Sequence, residues 1–276
     1  MAASNFMYGA HVRANGIRQH YLRYGGKGPA VLIVPGITSP APTWGFVGET
    51  FGRHFDTYVL DVRGRGLSEA SAGLDYGLDA CAADVTAFAQ ELGLQDYRLV
   101  GHSMGARIGI RVARRRDERL GKLVLIDPPV SGPGRRRYPS QLPWYVDSIR
   151  LARRGITIEQ MRTFCPTWTD EQLRLRAQWL HTCDERAIVT TFDGFHQDDI
   201  HADVPHIKVP TLLMVASRGG VIQEEDEQEL KRLLPALQTV HVPDAGHMIP
   251  WDNEEGFYRA FGAFLGHELT VTTNTL

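Results

Sequence analysis

The chain has 276 residues, 43% of them hydrophobic, enough for one large domain with a sizeable core. Its 30 Lys and Arg against 32 Asp and Glu leave a formal net charge of -2, which gives no basic field for nucleic acid or an anionic membrane and favours a small-molecule partner. Cys81, Cys165 and Cys183 show no zinc spacing, no apolar run approaches the about 18 residues of a membrane span, and residues 1–16 lack a signal-peptide stretch, so reduced thiols and a cytoplasmic location are expected.

In chain order, His11 to Tyr24 is strand-like around Asn15 and Gly16, the pair best suited to a type I′ hairpin turn. Ala30 to Val34 is a short, wholly apolar run, as in a strand buried on both faces, and Tyr58 to Leu60 repeats it. Between them, Trp44 to His54 carries Phe46, Val47 and Phe51 at helical spacing, and Asp79 to Leu92 is a second helical pattern ending at Gly93. Strand Arg98 to Val100, helix Met104 to Arg115 and strand Lys122 to Ile126 continue the alternation, the signature of a mostly parallel sheet covered on both faces. The alternation breaks after Asp127. Helical patterns at Tyr145 to Arg153, Ile158 to Phe164, Asp170 to Cys183 and Glu185 to Phe195 contain no strand, and residues 128–205 are read as a helical lid inserted in a core formed by 1–127 and 206–276. Strand Thr211 to Ala216, helix Glu224 to Leu234, strand Gln238 to Val242 and helix Glu254 to Leu265 complete the core, and the tail from Glu268 is expected to fray.

Gly101, His102, Ser103, Met104 and Gly105 match the G-x-S-x-G elbow and stand where it requires, between a strand and a helix. The serine takes a strained turn there, so the flanking glycines crowd together and must lack side chains. A serine hydroxyl needs a base, and of the 11 histidines His247 follows the last strand and precedes the closing helix, as the chain order Ser, acid, His demands. The loop after Thr211 to Ala216 reads Ser217, Arg218, Gly219, Gly220 and offers no acid, while Glu224 suits the start of a helix. Asp127 ends the preceding strand at the same sheet edge as Ser103 and is assigned as the acid. Backbone N–H groups of Met104 and of Ile37, with Thr38 as the other candidate, are expected to form the oxyanion hole. Asp61, Arg63, Gly64, Gly66 and Ser68 form a turn read at least as readily as a salt-bridged support as a substrate contact.

With these residues in place, the chain resembles the N-formylmaleamate deformylases of aerobic nicotinate degradation, within the α/β-hydrolase superfamily. The resemblance runs from about Ala14 to Phe264 on ANGIRQHYLRYGGKG, VLDVRGRGLS, GHSMGAR, DPPVSGPGRR, LPWYVDSIR, WLHTC, RGGVI and AGHMIPWD. It implies a triad at Ser103, Asp127 and His247 and hydrolysis of N-formylmaleamate to maleamate and formate without metal or organic cofactor. The carboxylate of such a substrate needs a cation, and Arg135, Arg136 and Arg218 are the candidates. Trp44 and Tyr145 are equally readable as pocket wall or packing, and His181 is kept as a substrate contact. The triad alone leaves open another lidded hydrolase (esterase, carbon–carbon bond hydrolase or acetamido-dicarboxylate amidohydrolase) and a ligand sensor of the same fold. The sequence is silent on oligomeric state.

Overall fold

Asn15 and Gly16 both take positive φ, 48° and 76°, so the first hairpin closes as its Asn-Gly pair dictates, joining β1 (Phe6–Ala14) to β2 (Ile17–Tyr24). The computed structural model describes residues 3–271. After the hairpin come β3 (Ala30–Val34), a 3-10 turn (Ala41–Trp44), α1 (Gly45–Phe51), β4 (Asp56–Leu60), α2 (Leu78–Glu91), β5 (Tyr97–His102), α3 (Met104–Arg114) and β6 (Leu120–Ile126). Prolines at 40 and 42 tighten the entry to α1 into the 3-10 turn, so the helix expected from Trp44 to His54 is a single shorter α-helix behind that turn.

The strands lie in the order β1-β2-β4-β3-β5-β6-β7-β8, where β7 is Thr211–Ala216 and β8 is Gln238–Val242. The pairs β1/β2 and β2/β4 are antiparallel and the rest parallel. In β3 the side chains alternate: Leu32 and Val34 join one core and Val31 and Ile33 the other, so the unbroken apolar run is a sheet buried on both faces. The first core is covered by α2 and α3, the second by α1 and α10 (Glu254–Phe261).

Between β6 and β7 stand α4 (Leu142–Arg153), α5 (Ile158–Phe164), α6 (Asp170–Leu180) and α7 (Glu185–Gln197). Capping boxes at Thr157/Gln160 and Thr169/Gln172 start α5 and α6 where the sequence places them. Helix α6 ends at Leu180, short of Cys183. It packs on the 3-10 turn, while α4 packs on α6 and α7. After β7 come α8 (Glu224–Leu233), β8, a one-turn α9 (Ile249–Asp252) absent from the sequence reading, and α10. Gly262, at φ 47°, stops α10 before the expected Leu265.

The tail is a correction. Leu269 is 4% exposed in the second core, Val271 packs against that core and Arg53 donates to the Thr270 carbonyl, so the tail is anchored at these residues while Glu268 and Thr270 are exposed; residues 272–276 lie outside the described residues. Among the described residues no helix is long and apolar enough to cross a membrane.

Candidate active site

Parallel strands bring their carboxyl ends to one edge, and the loops after β3, β5, β6, β7 and β8 meet there. Ser103 follows β5 at φ 54°, in the left-handed region, so its side chain is presented above the sheet edge. The flanking glycines are obligatory: a Cβ at Gly101 would lie 2.3 Å from the Gly105 carbonyl oxygen, and one at Gly105 would lie 1.9 Å from that of Val34.

Ser103 Oγ is 2.9 Å from His247 Nε2, and His247 Nδ1 is 2.7 Å from Asp127 Oδ2. The short second contact places the imidazole proton on Nδ1 toward the carboxylate, leaving Nε2 to accept the serine proton. Asp127 is wholly buried at the end of β6, where its Oδ1 accepts from the Ala216 N–H at 3.2 Å. Gly219 explains the empty later loop: a Cβ there would press on Ala216 Cβ at 2.7 Å and come 3.3 Å from Asp127 Oδ2, so the residue lacks a side chain where the carboxylate meets His247. Glu224 is the first residue of α8, in its acidic first turn.

His102 is buried and its Nε2–H donates to the His247 carbonyl at 2.9 Å, fixing the backbone that carries the His247 ring. Burial, reinforced by repulsion from His247, drives its pKa down to about 3 and keeps it neutral. The loop after β3 is pinned from below. Arg65 donates to the carbonyls of Ile37, Arg63 and Ala187 and to Thr191 Oγ1. The N–H groups of Ile37 and Met104 have no protein acceptor among the described residues. Asp61 is wholly buried and accepts from His20 Nδ1, Ala41 N and Leu67 N, and Arg63 is paired with Asp84. That turn supports the sheet edge.

A cavity of about 380 Å³ opens on Ser103 and His247 and is also lined by Ile37, Thr38 and Tyr145. The other expected contacts lie elsewhere. Trp44 is fully buried beneath the site, against His102 and Trp251. Arg135 forms a two-point ion pair with Glu229, and Arg136 binds Asp226 and the Gly220 and Val221 carbonyls. Arg218 turns to the Asp244 carbonyl. His181 caps the end of α6 on the exposed side. These four polar side chains are held by surface partners or solvent, away from the cavity.

The structure brings in residues the sequence did not single out. Tyr138 Oη is 3.2 Å from His247 Nε2 and receives a bond from Tyr145 Oη at 3.3 Å. Burial pushes both phenols up, Tyr138 well above its ordinary value, so they are neutral hydrogen-bond donors. Arg176, 4% exposed, lines the cavity with its guanidinium carbon 5.5 Å from the Trp144 ring centre and 5.7 Å from that of Trp168. The signal for it was present: Leu173, Arg176 and Leu180 share one stripe of α6, which puts an arginine on the inward face.

Residues 29–254 match the family model of the alpha/beta hydrolase fold. The chain is 64% identical over 266 residues to an N-formylmaleamate deformylase of Pseudomonas putida, a match covering 96% of this chain and 99% of that one. A crystal structure of the N-formylmaleamic acid deformylase of Pseudomonas putida S16 superposes with a TM-score of 0.89 at 55% identity, over 92% of this chain and 99% of the other. A solved E-2-(acetamidomethylene)succinate hydrolase shares the fold at 21% identity and TM-score 0.77, over 95% and 100% of the two chains. Fold, strand order, elbow and sequence agree, and the chain belongs to the α/β-hydrolase family.

Proposed function

We propose that this chain hydrolyses the N-formyl amide bond of N-formylmaleamate to formate and maleamate, with Ser103 as nucleophile, His247 as general base and Asp127 as its orienting acid. The observation that carries the reading is the unbroken hydrogen-bond chain from Asp127 through His247 to Ser103 at the wall of a cavity of about 380 Å³. The substrate is that named for its 64% identical relative.

In this mechanism Ser103 Oγ attacks the formyl carbon as His247 Nε2 takes the hydroxyl proton, and the oxyanion rests on the Met104 and Ile37 N–H groups. Collapse breaks the C–N bond while His247 returns the proton to the departing nitrogen. A formyl ester remains on Ser103. Water, deprotonated by His247, then attacks that ester and releases formate. The leaving group is favourable for an amide, because charge on its nitrogen spreads onto the second carbonyl. Tyr138 Oη stands beside Nε2 and supplies a neutral donor for that second carbonyl. We read residues 128–205 as a lid that excludes water from these steps. Free, buried Cys81, Cys165 and Cys183 support a reducing, cytoplasmic setting.

The test is a substrate panel. We expect kcat/KM to fall from N-formylmaleamate to its N-acetyl analogue, because an added methyl must enter the acyl pocket, and to be lower again for p-nitrophenyl acetate. Faster turnover of the aryl ester than of N-formylmaleamate would favour a general esterase.

A further inference from the structure

Five arginines are buried among the described residues: Arg63, Arg65, Arg107, Arg111 and Arg176. A guanidinium withdrawn from water is costly unless its donors are matched. Arg63 is paired with Asp84, and Arg111 with Asp79 and Asp203. Arg65 has four protein acceptors, and Arg107 binds the carbonyls of Pro129, Ser131, Gly194 and Asp198. Arg176 stands apart. Its protein partners are the Thr38 carbonyl and hydroxyl, at 3.3 and 3.2 Å, and its buried Nε has none. It faces the same cavity as Ser103, and it is the only Lys or Arg in the lining.

From this we infer that Arg176 is the anion anchor of the active site, receiving the substrate's carboxylate in a slot walled by Trp144 and Trp168. The inference rests on the deformylase reading and names the residue that selects its substrate class: short N-acyl amides ending in a carboxylate. Three features fit. The two indole rings hold the guanidinium by cation–π contact, fixing its donors in place without neutralising it. Thr38, which Arg176 binds, adjoins Ile37, so an anchored carboxylate lies at a fixed reach from the oxyanion loop. Asp252, the carboxylate in the lining, is tied to the Gly246 N–H at 2.9 Å and does not pair with Arg176.

The experiment compares kcat/KM for N-formylmaleamate with that for N-formylacrylamide, which lacks the carboxylate, in the native protein, Arg176→Met and Arg176→Lys. The expected native preference for the anion is on the order of a hundredfold or more. It collapses in Arg176→Met, mainly through KM, and is partly kept in Arg176→Lys. Maleamate should bind the native protein in calorimetry and fail to bind Arg176→Met. A preference unchanged in Arg176→Met, or both substrates declining in proportion, would overturn the inference and leave Arg176 a support for the Thr38 loop. If the native protein releases formate from neither compound, the deformylase reading fails instead; maleamate binding by the two forms still tests the anchor.

Discussion

His102 is a buried titratable group bonded to the His247 backbone, and replacing it by glutamine puts its role to a thermodynamic test. Glutamine keeps an N–H able to reach the His247 carbonyl but removes the titration. Folding lowers the His102 pKa from 6.5 to about 3, chiefly through burial. Above pH 6.5 both folded and unfolded states hold the ring neutral, and stability is independent of this group. As pH falls below 6.5 only the unfolded chain takes the proton, so stability is lost until the folded value near 3 is reached. The limiting slope is about 1.4 kcal/mol per pH unit, and between pH 7 and 5 one such group removes about 2 kcal/mol. Equilibrium urea unfolding at pH 7 and pH 5 should show the native protein losing about 2 kcal/mol more than His102→Gln. His201, also held low by burial, is common to both proteins and cancels. A difference below about 0.5 kcal/mol would refute the burial argument.

Asp127→Asn should lower kcat about ten thousandfold by leaving His247 in the wrong tautomer, while Glu224→Gln, at the start of α8, should change it less than about twofold; the reverse ranking in steady-state rates would move the acid to the later loop. Tyr138→Phe should slow N-formylmaleamate roughly a hundredfold yet barely affect p-nitrophenyl formate, whose phenolate departs unaided; equal losses would remove Tyr138 from leaving-group stabilisation. Gly105→Ala, whose Cβ would meet the Val34 carbonyl oxygen at 1.9 Å, should destabilise by about 2 kcal/mol or more, whereas Gly73→Ala, in open space, should be neutral; calorimetric melting distinguishes them.

The inner strands were legible because they are short apolar runs buried on both faces: Ala30 to Val34 and Thr211 to Ala216 were read to the residue, as was the part-exposed edge strand Gln238 to Val242. Ser103 and His247 were legible because a strained elbow and a fixed chain order restrict where they stand. The placement of Asp127 beside His247 was legible through the loop that lacks a carboxylate. The cations were not. Arg135 finds Glu229 some 94 positions later, a pairing set by tertiary packing that local sequence does not encode. Charged residues around Arg176 make α6 look solvated, and only its place on the Leu173 and Leu180 stripe marks it as inward. Tyr138 lies in an irregular stretch with no periodicity, and its position over His247 follows from the path of the chain after β6.

If Ser103 opens the formyl amide, formate release from N-formylmaleamate by the purified native protein and by Ser103→Ala reads that step. The native protein should release stoichiometric formate, and the variant should be slower by about four to six powers of ten. No formate from the native protein, or more than about a hundredth of its rate retained in Ser103→Ala, would contradict that role of Ser103.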